Sequence, residues 1–280
     1  MMIALNNLTR YLSIGAVLVV LTTGLSDAES IRIGGTGGAL GTMRLLGQAF
    51  KKQQPSVAVV VVPGLGSGGG RRALMGGALD IAVTALPLAG VEKLAGARAA
   101  LLGGTPFVMA VAAKNSVVNL TLQDIAGIYS GKLTAWPNGE RLRLILRPES
   151  DSDTELLKAL SAEVERAVKS AFAREGMKIA ITDEECADAI QTTPGAVGSS
   201  TQALIISEKR DLKALSINGV APNVKTLGDG SYPWFKSFYL LTRAESSPAS
   251  KLFVEFASSP QGRKILFSLG HWLPETKATR

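Results

Sequence analysis

The chain has 280 residues, of which 46% are hydrophobic and 19% charged, with a formal net charge of +7. That balance excludes a disordered chain and leaves ample material for a buried core. One cysteine (Cys186) excludes an internal disulfide, and with one histidine (His271) it excludes a His/Cys metal cluster.

The chain opens like an export signal. Arg10 precedes an apolar run from Tyr11 to Leu25, and Ser26-Asp27-Ala28 supplies small residues two apart, as a signal peptidase requires. The run is too short to span a bilayer comfortably. No cysteine lies there to carry a lipid anchor. Residues 1–28 are therefore expected to be a cleaved signal peptide and the mature chain a periplasmic monomer starting near Glu29; an uncleaved N-terminal anchor is the alternative. Removal takes away Arg10 and Asp27, so the mature charge is 29 basic minus 22 acidic residues, again +7. This excess favours small anions. Nucleic acid is not expected, because the bases are scattered, aromatics are only 5%, and no nucleic-acid motif occurs.

Apolar, β-branched runs predict strands at Ile31 to Gly34 and Val57 to Val62, with a helix between them from Leu40 to Gln53 that stops before Pro55. Gly34-Gly35-Thr36-Gly37-Gly38 joins the first strand to that helix. Glycines there let main-chain N–H groups approach an anion at a helix N-terminus, so Thr36, Gly37 and Gly38 are candidate ligand residues; a plain turn is the alternative. Gly64-Leu65-Gly66-Ser67-Gly68-Gly69 follows the second strand and leads to a helix near Arg71. It fits a dinucleotide pattern formally, but no acidic residue stands where the ribose partner belongs. Ser67 as an anion donor is the better reading.

Further strands are expected at Leu79 to Thr84, Phe107 to Ala113, Leu142 to Arg147 and Met177 to Thr182. Their continuous apolarity suggests parallel strands covered on both faces. A helix from Leu122 should end at Gly131. Gly127 to Lys132 resembles a Walker loop only loosely: the spacing is short and the segment ends a helix. Arg147 ends a strand, and Ser152 and Glu155 form a capping box for a long helix from Thr154 to about Arg174. Arg147, Ser152 and Thr154 are candidates to grip a tetrahedral oxyanion, although Ser152 and Asp153 serve equally well as caps. Asp183-Glu184-Glu185 reads as a solvated loop or helix start. A strand from Phe238 to Thr242 and two helices opening on Ser247-Pro248 and Ser259-Pro260 complete the chain.

The βαβ alternation argues for an open α/β sheet. Nothing in the chain reads as an enzyme. His271 sits among Leu269, Trp272 and Leu273 as a packed residue, and no nucleophile elbow or S-x-x-K pair is present. No catalytic residue, metal or cofactor is expected.

Several segments, in order, resemble the phosphate-binding (PstS-like) substrate-binding proteins of ABC transporters, a branch of the type II periplasmic binding proteins. They are Ile33 to Gly38, Gly64 to Gly70, Leu79-Asp80-Ile81-Ala82, Leu122 to Ile125 with Tyr129 to Lys132 and Trp136, Thr193 to Gly198, Gly230-Ser231-Tyr232-Pro233, and Ser259-Pro260-Gln261-Gly262. The resemblance covers about Ile31 to Pro274. It implies two Rossmann-like lobes joined by crossover strands, here residues 29–105 plus 236–280 and residues 106–235. It further implies a small anion such as phosphate in the cleft, hinge closure, and delivery to an ABC transporter permease. Thr36, Gly37, Gly38 and Ser67 hold matching positions, Arg147 matches the family arginine, and Ser152 and Thr154 approximate its Ser-Gly-Thr run. Two departures stand out. Ala85 replaces the family's buried aspartate, and Asp153 replaces the glycine, one residue further from Arg147. A carboxylate beside a desolvated dianion costs several kcal/mol. Either Asp151 and Asp153 point away as caps, or the ligand is not phosphate. A PstS-like fold with an altered ligand, acting as a sensor or adaptor, is the alternative.

Overall fold

The computed structural model describes residues 29–273, so the expected signal peptide lies outside the described residues. The strands are β1 Glu29–Gly35, β2 Val57–Val62, β3 Ile81–Thr84, β4 Arg98–Ala112, β5 Asn119–Leu120, β6 Arg143–Leu146, β7 Lys178–Ile179, β8 Ala196–Thr201, β9 Leu212–Ala214, β10 Ser216–Ile217 and β11 Phe235–Thr242. The helices are α1 Leu40–Gln53, α2 Gly66–Met75, α3 Gly90–Leu94, α4 Leu122–Ser130, α5 Ser152–Lys158, α6 Ala162–Phe172, α7 Asp183–Thr192, α8 Gln202–Ser207, α9 Val224–Gly228, α10 Pro248–Ser258 and α11 Pro260–Ser268. A short 3-10 turn, Gly37–Ala39, leads into α1.

Nine strands form the main sheet, in the order β2-β1-β3-β11-β4-β8-β6-β7 with β9 added on β4. At one end β1 pairs in parallel with β2 and β3. At the other, β6 pairs in parallel with β7 and β8. Between them run the antiparallel crossover strands. The 15-residue β4 pairs with β11 through Arg98 to Pro106 and then with β8 through Phe107 to Val111. Strand β11 returns the chain to the first half, pairing also with β3.

Each half has its own core. Ile31, Ile33, Met43, Phe50, Phe253 and Leu266 pack together around β1–β3, α1, α10 and α11. Met109, Ile125, Tyr129, Leu146, Val164 and Val168 pack around β6, β8, α4 and α6. The division falls within β4, where Leu102 belongs to the first cluster and Phe107 to the second. The two halves keep separate cores and share the crossover strands β4 and β11.

Local chemistry explains several differences from the sequence-based expectations. The stripe from Leu157 to Phe172 is split between two helices, because Ser161 accepts from Val164 N and starts α6 afresh. The apolar spacing survives the break, so periodicity alone hides it. Asp151, not Ser152, caps α5, accepting from Asp153 N. The second glycine run is itself helical: α2 begins at Gly66 rather than near Arg71. Its Gly70 lies against β1, where a Cβ would come within 2.6 Å of Gly35 Cα. Gly131 ends α4 in the left-handed region at φ 78°, as expected.

Candidate functional site

The carboxyl ends of β1, β3, β6 and β7 face one region where the two halves of the sheet meet. In open α/β sheets such ends are the usual ligand position. Thr36 follows β1, Arg147 follows β6, and Asp183 starts α7 after β7. Crossover strand β11 adds Lys236, paired in register with Thr105. Thr36, Arg147, Asp153, Thr154, Asp183 and Lys236 are all buried.

The Asp183 carboxylate is the hub. Thr36 Oγ1 donates to its Oδ2 at 3.2 Å, and Lys236 Nζ donates to its Oδ1 at 3.2 Å. Arg147 Nη2 lies 3.9 Å from Oδ2, and the Gly38 main-chain N–H helps to keep this carboxyl ionised. One hydroxyl, one amide and two cations therefore converge on a single oxyanion from both halves. Burial disfavours its charge, but Lys236 and Arg147 outweigh that and draw the carboxyl pKa down to about 2.

Asp153 forms the second arm. Its Oδ1 accepts from Lys236 Nζ at 2.6 Å and its Oδ2 from Ser199 Oγ at 2.9 Å. Asp151 forms the third, with Oδ2 2.9 Å from Arg147 Nη2. Burial and then the Asp153 charge push the Asp151 pKa up. Burial opposes the charge on Arg147, yet Asp183, Asp151 and Asp153 hold its pKa above the ordinary value. Burial likewise opposes charge on Lys236, and Asp153 followed by Asp183 more than offsets it. The five groups carry two positive and three negative charges when ionised.

The sequence-derived candidates fall in three places. Thr36, Gly38 and Arg147 meet at the Asp183 carboxylate. Gly37 packs beneath Glu184, since a Cβ there would collide with the Glu184 carboxylate. Thr154 turns its hydroxyl to Pro148 O at 2.8 Å and so ties the loop after β6, while Ser152 is half-buried at the first turn of α5. Ser67 accepts from Ala85 N at 3.0 Å, joining α2 to the end of β3 in the position that lacks the family aspartate.

The expectation about Asp151 and Asp153 needs refinement. Asp151 does cap α5, but it also pairs with Arg147. Asp153 points inward, where Lys236 compensates it. The reading of Asp183 as solvated is corrected: it begins a helix, capped by Thr182, and is buried there. Both Lys236 and Asp183 were missed as site residues. Lys236 had a usable signal, because Lys236, Phe238 and Leu240 share the inward face of β11. His271 is fully buried, 2.9 Å from Thr42 Oγ1, as a packed residue. Among the described residues no His/Cys/Asp/Glu group is placed to hold a metal ion.

An open α/β sheet in two halves, with the buried Asp183 carboxylate held where they meet, is thus defined. The model of the PBP superfamily domain matches residues 22–261, and the chain belongs to that superfamily. A curated relative, the phosphate-binding protein PstS of Bacillus subtilis, is 25% identical over 265 residues, covering 90% of this chain and 83% of that one. Among solved structures, a Clostridium perfringens chain with bound phosphate has TM-score 0.73 at 20% identity, covering 88% of this chain and 100% of that one. The periplasmic molybdate-binding protein of Azotobacter vinelandii has TM-score 0.63 at 15% identity, covering 88% of this chain and 100% of that one. These structural likenesses bear on the fold.

Proposed function

We propose that the chain is a periplasmic solute-binding protein that captures phosphate or a related small oxyanion between two lobes for uptake by an ABC transporter. The lobes are residues 29–105 plus 236–280 and residues 106–235. Thr36, Gly37, Gly38, Ser67, Arg147, Ser152 and Thr154 belong to the ligand-binding region, to which Lys236 is added. The chain carries out no catalysis and acts as a monomer after removal of residues 1–28. A membrane permease receives the solute.

The observation that carries the reading is the coordination of one carboxylate by Thr36, Gly38, Arg147 and Lys236 from both halves of the sheet. Charge-assisted donors converging on an oxyanion in a buried place are what such a solute requires. The relative from Bacillus subtilis, a phosphate-binding protein by name, supports phosphate as the solute.

Titration calorimetry of the chain lacking residues 1–28 with phosphate, sulfate and molybdate tests this. Saturable heat with at least one is expected. Absence of heat and of any thermal shift with all three overturns it.

A further inference from the structure

The oxyanion centre already has an occupant that belongs to the chain. Asp183 is the first residue of α7, on the β6–β8 half of the sheet, while Thr36 and Gly38 belong to the β1–β3 half. Its carboxylate therefore does two things at once. It takes the place of an anion among Thr36, Gly38, Arg147 and Lys236, and it joins the two halves. The packing around it is close: a Cβ on Gly37 would lie 2.9 Å from Asp183 Cβ and would collide with Glu184. The Glu184 carboxylate oxygens are themselves buried and have no hydrogen-bond partner in the structure.

We infer that Asp183 is a tethered surrogate ligand, closing the chain on itself and competing with the solute for the same donors. The inference rests on the oxyanion-capture reading. A solute enters only after the Asp183 carboxylate has withdrawn from Arg147, Lys236 and Thr36. The apparent affinity is thereby lowered by the fraction of molecules in the self-liganded form. Asp183 thus sets the concentration at which the protein loads, and the unloaded protein is closed rather than open. A soluble binding protein that closes only on its solute shows the opposite behaviour.

Two measurements test this on the chain lacking residues 1–28. Phosphate affinity is measured by calorimetry for the wild type and for Asp183→Asn, which keeps the shape and removes the charge. The variant is expected to bind phosphate about tenfold more tightly or better, the gain anticipated when a state holding about nine molecules in ten is removed. Equal or weaker binding by a folded variant overturns the inference and leaves the oxyanion-capture reading standing. If neither protein binds phosphate, sulfate or molybdate, that reading fails and the surrogate role fails with it. Small-angle scattering of the wild type does not depend on the variant folding. The radius of gyration is expected to be unchanged on adding saturating phosphate, and a measurable compaction overturns the inference.

Discussion

Lys236 and Asp153 form an ion pair of 2.6 Å in which each side chain is 1% exposed. Lys236 sits on crossover strand β11 and Asp153 in the first turn of α5, so the pair joins the centre of the sheet to the loop after β6. Such a pair is costly to break from one side, because the surviving charge stays buried and uncompensated. Lys236→Met is expected to destabilise the fold by about 3–5 kcal/mol in urea unfolding, the range for stranding a buried charge. Lys236→Met combined with Asp153→Asn should recover part of that loss. Additive losses in the double variant would show that the two charges do not compensate one another.

Arg147 is placed by more than its charge. Its Nη1 donates to Ala180 O at 2.8 Å, while Nη2 faces Asp151 and Asp183. A lysine reaches one of these directions but not both, because its ammonium lacks the planar fork. Arg147→Lys is expected to weaken oxyanion binding about tenfold or more, equivalent to about 1.4 kcal/mol. Calorimetry at fixed ionic strength checks this, and unchanged affinity would place the solute away from Arg147.

Burial of the single histidine sets one window of the acid stability. Burial lowers the His271 pKa from 6.5 to about 3, so the folded chain holds it neutral. In the unfolded chain it takes up a proton near pH 6.5. The unfolded state then binds more protons, and stability rises with pH. The favourable contribution is complete above pH 6.5 and is lost as pH falls towards 3. One proton corresponds to a slope of about 1.4 kcal/mol per pH unit. Between these limits the wild type should gain stability with rising pH more steeply than His271→Gln, by up to about that amount, and equal slopes would show that His271 is not held neutral in the folded chain. Asp183 has its own window lower down: with its pKa depressed from 3.8 to about 2, its contribution disappears only through that interval.

How much of this was readable from residues alone depends on whether neighbours in sequence or neighbours in space decide. Helix α1 and strand β2 follow from periodicity and Pro55, because their signals are local. The positions of Thr36 and Arg147 in the fold are legible for the same reason: a glycine corner and a strand end announce themselves. Asp183 was not. Thr182 and Glu185 mark a helix start, but whether the residue between them faces water or a partner 147 residues away is set by how β7 docks on β6. The break at Ser161 was hidden because the two helices keep the apolar residues on one side.

The glycines of α2 give a paired test of packing against propensity. Gly68 and Gly70 are both helical, and each replaced by alanine gains backbone rigidity of about 0.5–1 kcal/mol. At Gly68 the nearest atom to a new Cβ is Arg72 Nη1 at 3.5 Å, so that gain should be realised. At Gly70 the Cβ meets Gly35 Cα at 2.6 Å, and Gly34 O at 3.2 Å, both main-chain atoms that cannot move aside. Gly68→Ala is expected to raise the melting temperature and Gly70→Ala to lower it. Equal shifts would mean that α2 is not seated on β1 as described.

The charges at the centre also determine which oxyanion fits. With Asp183 in place, Arg147 and Lys236 face Asp151, Asp153 and Asp183. Withdrawal of Asp183 leaves two cations opposite two carboxylates. A singly charged oxyanion then replaces one negative charge by one. A dianion adds a further charge with no partner in a buried place. Dihydrogen phosphate should therefore bind more tightly than monohydrogen phosphate, and sulfate weakly at every pH. Calorimetry at mildly acid and mildly alkaline pH checks this, with phosphate affinity expected to rise towards the acid side. Asp153→Asn removes one of the two remaining carboxylates and should shift the preference towards dianions, raising sulfate affinity relative to phosphate. Tighter phosphate binding at alkaline pH in the wild type would show that the centre gains a positive charge on opening, and the one-for-one exchange would be wrong.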